Sequence, residues 1–265
     1  MSKKIVIFPN DPIIDYYRKG EIKPRYYNPG NFFNEVHIIS LAEKDIDSSQ
    51  VKDIAGSADL FIYPVGNPLT IKGILSLPIF ISNVFKIVKK IDPQVLRAYN
   101  SIFGGFLATF TGKQLRIPSV VSLHIDQDEI RKFEKPSSFK AVIYRYFSKF
   151  LLEPFSMRNA DVVIPVSNFL STYAKKYGAK NIKVIYNKVY ASQFKKPENF
   201  IKSYEGFKIL TVGRLSPQKN MQCLLNAVVG LKNTQITFIG TGPDKRELEN
   251  LADILGIKNR VNFIE

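Results

Sequence analysis

The stretch that decides the fold reads Ile209-Leu210-Thr211-Val212-Gly213-Arg214-Leu215-Ser216-Pro217-Gln218-Lys219-Asn220. Its aliphatic start predicts a buried strand that ends at Gly213. Ser216 and Pro217 favour the start of a helix, with the serine as its cap and the proline in its first turn. A strand followed at once by a helix is the repeating unit of α/β proteins, so the stretch predicts a parallel sheet with helical crossovers.

Two cations in this stretch, Arg214 and Lys219, predict a binding site for a diphosphate. The guanidinium of Arg214 offers a planar fork to phosphate oxygens, and Lys219 adds a compact charge near the helix N-terminus, which itself attracts anions. The alternative interpretation is a pair of solvated surface cations. From the spacing alone, the diphosphate site and this alternative are equally favoured. The later turn Gly240-Thr241-Gly242-Pro243 is a weaker signal, because most such turns need glycine only for its backbone freedom.

The same alternation of strands and helices extends outward over the whole chain. Valine- and isoleucine-rich runs without a polar alternation predict strands buried on both faces. The predicted strands are Lys4–Phe8, Glu35–Leu41, Asp59–Val65, Val95–Tyr99, Ser119–His124, Val162–Val166, Lys183–Tyr186, Phe207–Val212, Gln235–Ile239 and Arg260–Ile264. The predicted helices are Ile74–Lys90, Ile102–Leu115, Ser138–Arg158, Asn168–Tyr177, Pro217–Leu231 and Pro243–Leu255.

A polar, charged interruption at Tyr190–Tyr204 divides this pattern. It predicts an N-terminal Rossmann-like domain over residues 1–200 and the first half of a second one over residues 205–265. Three strands of a second sheet are expected to leave an apolar face and a strand edge uncovered.

The composition is that of an ordinary soluble protein, with 45% hydrophobic and 23% charged residues among 265. The net charge of +15 leaves nucleic acid, an anionic membrane surface and phosphorylated small molecules as partners. No helix-turn-helix, zinc-ligand spacing or RNA-binding consensus is found, so no nucleic acid is expected. The single cysteine and the short apolar run before Pro9 favour a cytoplasmic protein without a signal peptide.

His124 ends a predicted strand and is followed by Asp126 and Asp128. Ligands of open α/β sheets bind outside the carboxyl ends of the strands, where a histidine can donate to a sugar hydroxyl. A purely structural role for His124 is equally favoured at this point. The two aspartates fit paired acids or a metal couple, but a solvated loop is the favoured interpretation.

Taken in order, five motifs resemble family-4 glycosyltransferases of the GT-B fold. They are Ser122-Leu123-His124-Ile125-Asp126, Ala160–Ser167, Val184-Ile185-Tyr186-Asn187, Val212–Asn220 and Ile239–Pro243. The resemblance implies two Rossmann-like, doubly wound parallel-sheet domains, the first binding the acceptor and the second a nucleotide-sugar. It also implies that the second domain is incomplete, because the family's spaced pair of glutamates would fall beyond Glu265.

The activity that the resemblance implies is transfer of a hexose-type sugar from a nucleotide-diphosphate-sugar to a glycan, lipid or small-molecule acceptor, with retention of configuration. Arg214 and Lys219 would hold the diphosphate without an obligatory metal, and no cofactor is expected beyond the donor substrate. His124 would contact the transferred sugar as the catalytic residue. The substrate-binding set implied in this way is Gly213, Arg214, Lys219, Gly240, Gly242, Asp126, Ser167 and Asn187.

Two loops depart from the family pattern. The family's glycine-rich loop after the first strand reads Pro9-Asn10-Asp11-Pro12 here, and its Asn-Gly-Val-Asp reads Asn187-Lys188-Val189-Tyr190. The alternative is therefore a truncated, catalytically inactive fragment that binds anionic membranes or partners, with a nucleic-acid-binding module third.

The segment from Arg131 to Arg158 combines seven cations with interleaved aromatic residues and only two acids. A basic amphipathic helix of this kind suits an anionic membrane that carries lipid-linked acceptors. The competing interpretation, slightly favoured, is a helix whose apolar face enters the domain core.

Overall fold

The computed structural model describes residues 2–67, 77–133, 136, 138–188 and 206–265. The chain divides into two compact units: Met1–Gln127 with Pro136–Lys188, and Asp128–Lys135 with Val189–Glu265. Each unit is built on its own parallel sheet. Across the described ranges, every helix is too short or too polar to cross a membrane.

Six parallel strands form the sheet of the first unit, in the order β3-β2-β1-β4-β5-β6. All six were predicted from the sequence, to within a residue at each end. They are β1 Lys4–Phe8, β2 Glu35–Ser40, β3 Asp59–Pro64, β4 Val95–Ala98, β5 Ser119–Leu123 and β6 Val162–Pro165.

Helical segments connect these strands. They are α1 Ile13–Arg18, a 3-10 helix Ser48–Ala55, α2 Leu77–Ile91, α3 Phe103–Leu115, α4 Gln127–Phe133, α5 Phe139–Phe147, a π-helical turn Ser148–Leu152, α6 Glu153–Asn159 and α7 Asn168–Lys176. The predicted helix Ser138–Arg158 corresponds to α5, the π turn and α6 in direct succession. Residues 74–76 of the first predicted helix lie outside the described residues.

The strand order explains why both faces of this sheet are buried. From β1 the chain moves outward through β2 to β3, then returns and moves the other way through β4, β5 and β6. Right-handed crossovers in opposite directions place their helices on opposite faces. Alternate residues of β1 accordingly enter two separate cores: Ile5 and Ile7 pack with α1 and the 3-10 helix, whereas Val6 and Phe8 pack with α2 and α3.

The second unit has a smaller sheet, in which all strands run parallel in the order β7-β8-β9. Its elements are β7 Phe207–Val212, a 3-10 turn Pro217–Lys219, α8 Met221–Ala227, β8 Thr234–Ile239, α9 Lys245–Ile254 and β9 Val261–Ile264. Both crossovers advance in one direction, so α8 and α9 lie on the same face. On the other face, Leu210 is 62% and Val212 is 70% exposed.

Two predicted elements differ from the structure. Lys183–Tyr186 is not a strand: Lys183 and Ile185 donate backbone hydrogen bonds to β6, and one isolated bridge joins Ile182 to Val163. The segment lies beside the edge strand β6 with only these hydrogen bonds, and most of its side chains are exposed.

The predicted helix Pro217–Leu231 is interrupted at Asn220, whose φ is +47°. Asparagine tolerates this left-handed conformation, which ends the 3-10 turn and starts α8 one residue later. Ser216 occupies the N-cap position of the 3-10 turn and Pro217 lies in its first turn, as predicted, but the Ser216 side chain makes no capping hydrogen bond.

Candidate functional site

A crevice opens at the carboxyl end of the first sheet, where the strand order reverses between β1 and β4. It holds a cavity of about 150 Å³. The loops after β1, β4 and β5 supply Asn10, Tyr99, Ser101 and His124 to its lining. This is the position at which open α/β sheets bind ligands, so the sequence placed His124 at a site that the fold can use.

Aromatic rings form the wall of this cavity. Tyr99 stacks between His124, at a centroid distance of 5.8 Å, and Tyr26, at 5.7 Å. The guanidinium of Arg97 lies 4.7 Å from the Tyr99 ring and donates to the Ser122 hydroxyl at 3.1 Å. Tyr99 is buried, so it offers the exposed His124 ring a fixed surface on which to stack.

His124 is exposed at the edge of the cavity. Partial desolvation of its ring, and to a smaller extent the positive charge of Arg97, lower its pKa below the ordinary value, which favours the neutral form near pH 7. Burial raises the pKa of Tyr99 to about 12, against a smaller opposing effect of Arg97. Both side chains therefore present uncharged hydrogen-bonding groups, which suits a hydroxyl-rich ligand better than an anion.

Ser101 adds a polar group that has no hydrogen-bond partner among the described residues. The residue is 1% exposed and is one of the residues around the cavity. A buried hydroxyl without a partner is costly.

A neighbouring cavity of about 210 Å³ shares Tyr16 and Tyr26 with the first one. Burial raises the pKa of both tyrosines above the ordinary value. Ile13, Ile22 and Tyr27 complete an apolar wall. The two cavities together offer an aromatic surface that extends away from His124.

The loop after β1 does not form a phosphate site. The carboxylate of Asp45 accepts hydrogen bonds from the backbone N–H groups of Ile13 and Ile14, at 2.9 and 2.6 Å, and thereby occupies the N-terminus of α1. In many Rossmann-like folds a phosphate takes this position. The Pro9-Asn10-Asp11-Pro12 loop therefore departs from the glycine-rich pattern in structure as well as in sequence.

In the second unit, Arg214 and Lys219 lie on the loop that follows β7, and both are exposed. Lys219 folds back over Gly213, since its Cε lies 4.0 Å from the position that a Cβ on Gly213 would take. The 3-10 turn fixes its backbone through a hydrogen bond from the Lys219 N–H to the Ser216 carbonyl. The loop thus brings both cations beside a residue that has no side chain.

Gly240 and Gly242 have a structural reason to be glycine. A Cβ on Gly240 would overlap the carbonyl of Gly213, and one on Gly242 would overlap the carbonyl of Leu215. The two loops are also joined by backbone hydrogen bonds from Gly213 to Ile239 and from Leu215 to Thr241. These glycines let the loop after β8 pack against the loop that carries the cations.

The remaining predicted site residues are not gathered into one place. Asp126 follows β5 and is half-buried, while Asp128 lies in the first turn of α4 and pairs with Arg131 at 3.0 Å, so the solvated-loop interpretation is wrong for Asp128. Ser167 caps α7 by accepting from the Leu170 N–H. Asn187 is exposed near the edge of the first sheet.

Sequence reasoning missed several groups that line the first cavity besides His124, among them Tyr16, Tyr26, Tyr99 and Ser101, and it missed Arg97, which lies against the Tyr99 ring. A signal was present, because Tyr99 ends a predicted strand and Asn100 and Ser101 directly follow it, beside the point where the strand order reverses. Tyr16 and Tyr26 lie in a segment without a clear periodic pattern, so only the fold brings them to the cavity.

Comparison with solved structures assigns the fold. The structure matches the apo form of a lipopolysaccharide outer core galactosyltransferase, WaaB, with a TM-score of 0.66 and 16% identity, over 98% of this chain and 67% of that one. It matches the Anabaena protein HepE in complex with UDP-glucose with a TM-score of 0.62 and 16% identity, over 98% of this chain and 68% of that one. The chain thus has the fold of GT-B glycosyltransferases and spans about two thirds of these relatives.

Family models then identify the chain more closely. The model described as glycosyltransferase family 4 matches residues 34–193, more than half of the chain, and the model described as glycosyl transferases group 1 matches residues 192–265. The chain belongs to glycosyltransferase family 4. A curated relative, the lipopolysaccharide core biosynthesis glycosyltransferase LpsD of Rhizobium meliloti, is 36% identical over 59 residues, which are 22% of this chain and 17% of that protein.

Proposed function

We propose that the protein containing this chain transfers a sugar from a nucleotide-diphosphate-sugar to a glycan, lipid or small-molecule acceptor, with retention of configuration and in the cytoplasm. The observation that carries the proposal is the loop after β7, where Lys219 folds over Gly213 beside Arg214. HepE, which has the same fold, is bound to UDP-glucose in its crystal structure. A galactosyltransferase and a lipopolysaccharide glycosyltransferase are among the relatives, which supports a hexose as the transferred sugar.

The proposed chemistry in the second unit is electrostatic. When the glycosidic bond to the donor breaks, negative charge develops on the departing diphosphate. The guanidinium of Arg214 and the ammonium of Lys219 would stabilise that charge through charge-assisted hydrogen bonds. This assignment requires neither a metal ion nor a further cofactor.

The first unit would supply the acceptor-side groups. Neutral His124 can donate to, or accept from, a hydroxyl of the transferred sugar without introducing a charge. The aromatic rings of Tyr99 and Tyr26 suit a polyhydroxylated ring, which has apolar faces as well as polar edges. We therefore assign the aromatic crevice to the acceptor and the transferred sugar.

Binding of nucleoside diphosphates tests the donor assignment. Isothermal titration of the full chain with UDP, GDP and ADP identifies the nucleotide. Replacing both Arg214 and Lys219 with alanine should weaken its binding by at least about 100-fold, because hydrogen bonds to charged groups contribute about 1.5–3 kcal/mol each.

A matched control uses Lys232→Ala, an exposed lysine of the same unit away from the loop. The control should bind the nucleotide as the wild type does. Unchanged nucleotide affinity in the Arg214→Ala, Lys219→Ala double variant would refute the donor site. Failure of all three nucleotides to bind the wild type would count against the proposed activity of this chain.

A further inference from the structure

The cavity of about 210 Å³ beside the aromatic crevice has a mainly apolar lining. We name it the tyrosine cavity; three tyrosines and three isoleucines line it, namely Tyr16, Tyr26, Tyr27, Ile13, Ile22 and Ile54. The rings of Tyr26 and Tyr27 meet edge to face at a centroid distance of 4.9 Å, and Tyr27 meets Tyr99 of the crevice in the same way at 5.3 Å. One aromatic wall therefore borders both the crevice and the tyrosine cavity.

Hydrogen bonds fix this wall to the 3-10 helix that follows β2. The Tyr27 N–H donates to the Ile54 carbonyl at 3.0 Å. The next residue, Asn28, is 1% exposed, and its side-chain amide donates to the carbonyls of Ala55 and Phe33 at 3.1 and 3.0 Å. The tyrosine cavity is thus preformed, so a ligand does not have to order its wall on binding.

The described residues that line the tyrosine cavity carry no net charge. Glu21 and Lys23 also belong to the lining, but both are exposed and their charges are opposite in sign. Burial raises the pKa of Tyr16, Tyr26 and Tyr27, so their phenol groups stay un-ionised at neutral pH. A charged ligand group would lose hydration beside the isoleucines, whereas an apolar group gains free energy by leaving water.

We infer that the tyrosine cavity is a second subsite of the acceptor site and takes an apolar aglycone, an alkyl or aromatic group attached to the acceptor's sugar. This rests on the proposed function, because the cavity extends the acceptor site beyond the crevice. Tyr16 and Tyr26 line both cavities, so a sugar in the crevice can carry its substituent into the tyrosine cavity. The aglycone then strengthens binding in proportion to the apolar area that it buries.

Titration of the full chain with methyl, hexyl and phenyl β-glucosides and β-galactosides, in the absence of nucleotide, tests the subsite. In at least one sugar series, the hexyl or the phenyl glycoside should bind at least about tenfold more tightly than the methyl glycoside, because only these two bury a large apolar group in the cavity. A gain for the hexyl glycoside alone assigns the subsite to an alkyl chain. A gain for the phenyl glycoside alone assigns it to an aromatic group.

Replacing one wall residue tests where the aglycone binds. The Ile22→Ser variant should bind the hexyl and phenyl glycosides no more tightly than the methyl glycoside, since it replaces an apolar residue of the lining with a polar one. Ile14→Ser is the matched control, because Ile14 and Ile22 are both half-buried against the same core cluster but only Ile22 belongs to the lining. The control should keep the wild-type preference for apolar aglycones, and thermal unfolding verifies that both variants fold.

A tryptophan reporter gives a second measurement that leaves the core intact. The chain has no tryptophan. Lys23 is an exposed member of the lining, so Lys23→Trp should fold as the wild type does. Its emission should change when the hexyl or phenyl glycoside is added, whereas that of Lys19→Trp, an exposed position outside the lining, should not.

Three outcomes overturn the inference. The first is a wild type that binds the three glycosides equally or binds none of them. The second is an equal loss of the aglycone preference in Ile22→Ser and Ile14→Ser. The third is a Lys23→Trp emission that the hexyl and phenyl glycosides leave unchanged.

The nucleotide titration keeps the two proposals apart. A chain that binds a nucleoside diphosphate through Arg214 and Lys219 but shows no aglycone preference retains the proposed function and loses only the subsite. A chain that prefers apolar aglycones through Ile22 but binds no nucleotide retains the apolar subsite and loses the donor assignment.

Discussion

The two sheets of the protein are built from the same kind of strand but are covered differently. In the first unit, neighbouring residues Val6, Ile7 and Phe8 are all fully buried, because helices lie on both faces. In the second unit, Phe238 on β8 is fully buried, whereas Leu210 and Val212 on β7 are exposed. Local sequence is similar in the two sheets, so the direction of the crossovers makes the difference.

Reversal of the strand order has two consequences at once. It places helices on opposite faces of the first sheet, and it opens the crevice between the loops of β1 and β4 where His124 and Tyr99 lie. Within the described residues, the second sheet advances in one direction only. Its ligand-binding candidates accordingly come from adjacent loops that pack on each other, not from a crevice at a reversal.

The largest expected effect on stability comes from truncating a buried aromatic side chain in the core of the first unit. Phe8→Ala should lower the free energy of unfolding of that unit by about 3–5 kcal/mol, because a fully buried aromatic ring leaves a cavity. Hydrogen exchange resolved by peptide would report the loss across β1, β2 and β4. Unchanged protection in these strands would contradict the two-sided core.

A smaller effect is expected from Gly242→Ala in the second unit. The added methyl group would overlap the carbonyl of Leu215 and separate the loops after β7 and β8, at a cost of about 1–3 kcal/mol. Nucleotide binding should weaken along with stability, because Arg214 lies on the displaced loop. Gly230→Ala is the control, since its Cβ would meet nothing within 4 Å; equal effects of the two changes would contradict the loop packing.

The pH dependence of the free energy of unfolding should also differ between the two units. The chain has two histidines, His37 and His124, both in the first unit, and burial is the main cause that lowers the pKa of each. As the pH falls, the histidines therefore take up protons in the unfolded chain before they do so in the folded chain. The free energy of unfolding should decrease below about pH 6.5, the ordinary pKa of histidine.

Denaturant titrations followed by hydrogen exchange between about pH 7 and pH 5 would measure this, because carboxylates stay ionised over most of that window. The first unit should lose stability and the second should not. In the His124→Gln variant, the free energy of unfolding should depend on pH less steeply than in the wild type, but the dependence should not vanish, since His37 remains. A second unit that loses as much stability as the first would contradict the assignment.

The smallest expected effect concerns the uncovered face of the second sheet. Leu210→Lys should change the free energy of unfolding by no more than about 0.5 kcal/mol, because the side chain is already in water. Self-association, measured by light scattering, should decrease as the apolar face becomes charged. A destabilisation close to that of Phe8→Ala would mean that this face is covered in solution.

Most of the strands could be predicted from the sequence because buried parallel strands carry dense valine and isoleucine runs, as at Val120-Val121 in β5. The interruption at Asn220 could not, because a single left-handed residue inside an otherwise helical pattern leaves no periodic signal. The same holds for α1, which is short and begins after Pro12.

Candidate site residues could be predicted only where they lie at or just after the end of a predicted strand. His124, Arg214 and Gly240 satisfy that condition, and the sequence names them as candidates; their roles stay predictions. Tyr26 was missed because it reaches the crevice through a long connection between β1 and β2, and Ser101 because nothing in the sequence marks a hydroxyl that the fold will bury without a partner. The roles of Asp126, Ser167 and Asn187 stay predictions.

Asp45 has a consequence for ligand selection. By accepting from the N–H groups of Ile13 and Ile14, its carboxylate acts as an intramolecular competitor for the start of α1. A tethered group competes at a high effective concentration, of the order of millimolar or more. A free phosphate would have to displace the Asp45 carboxylate before it could bind at the start of α1.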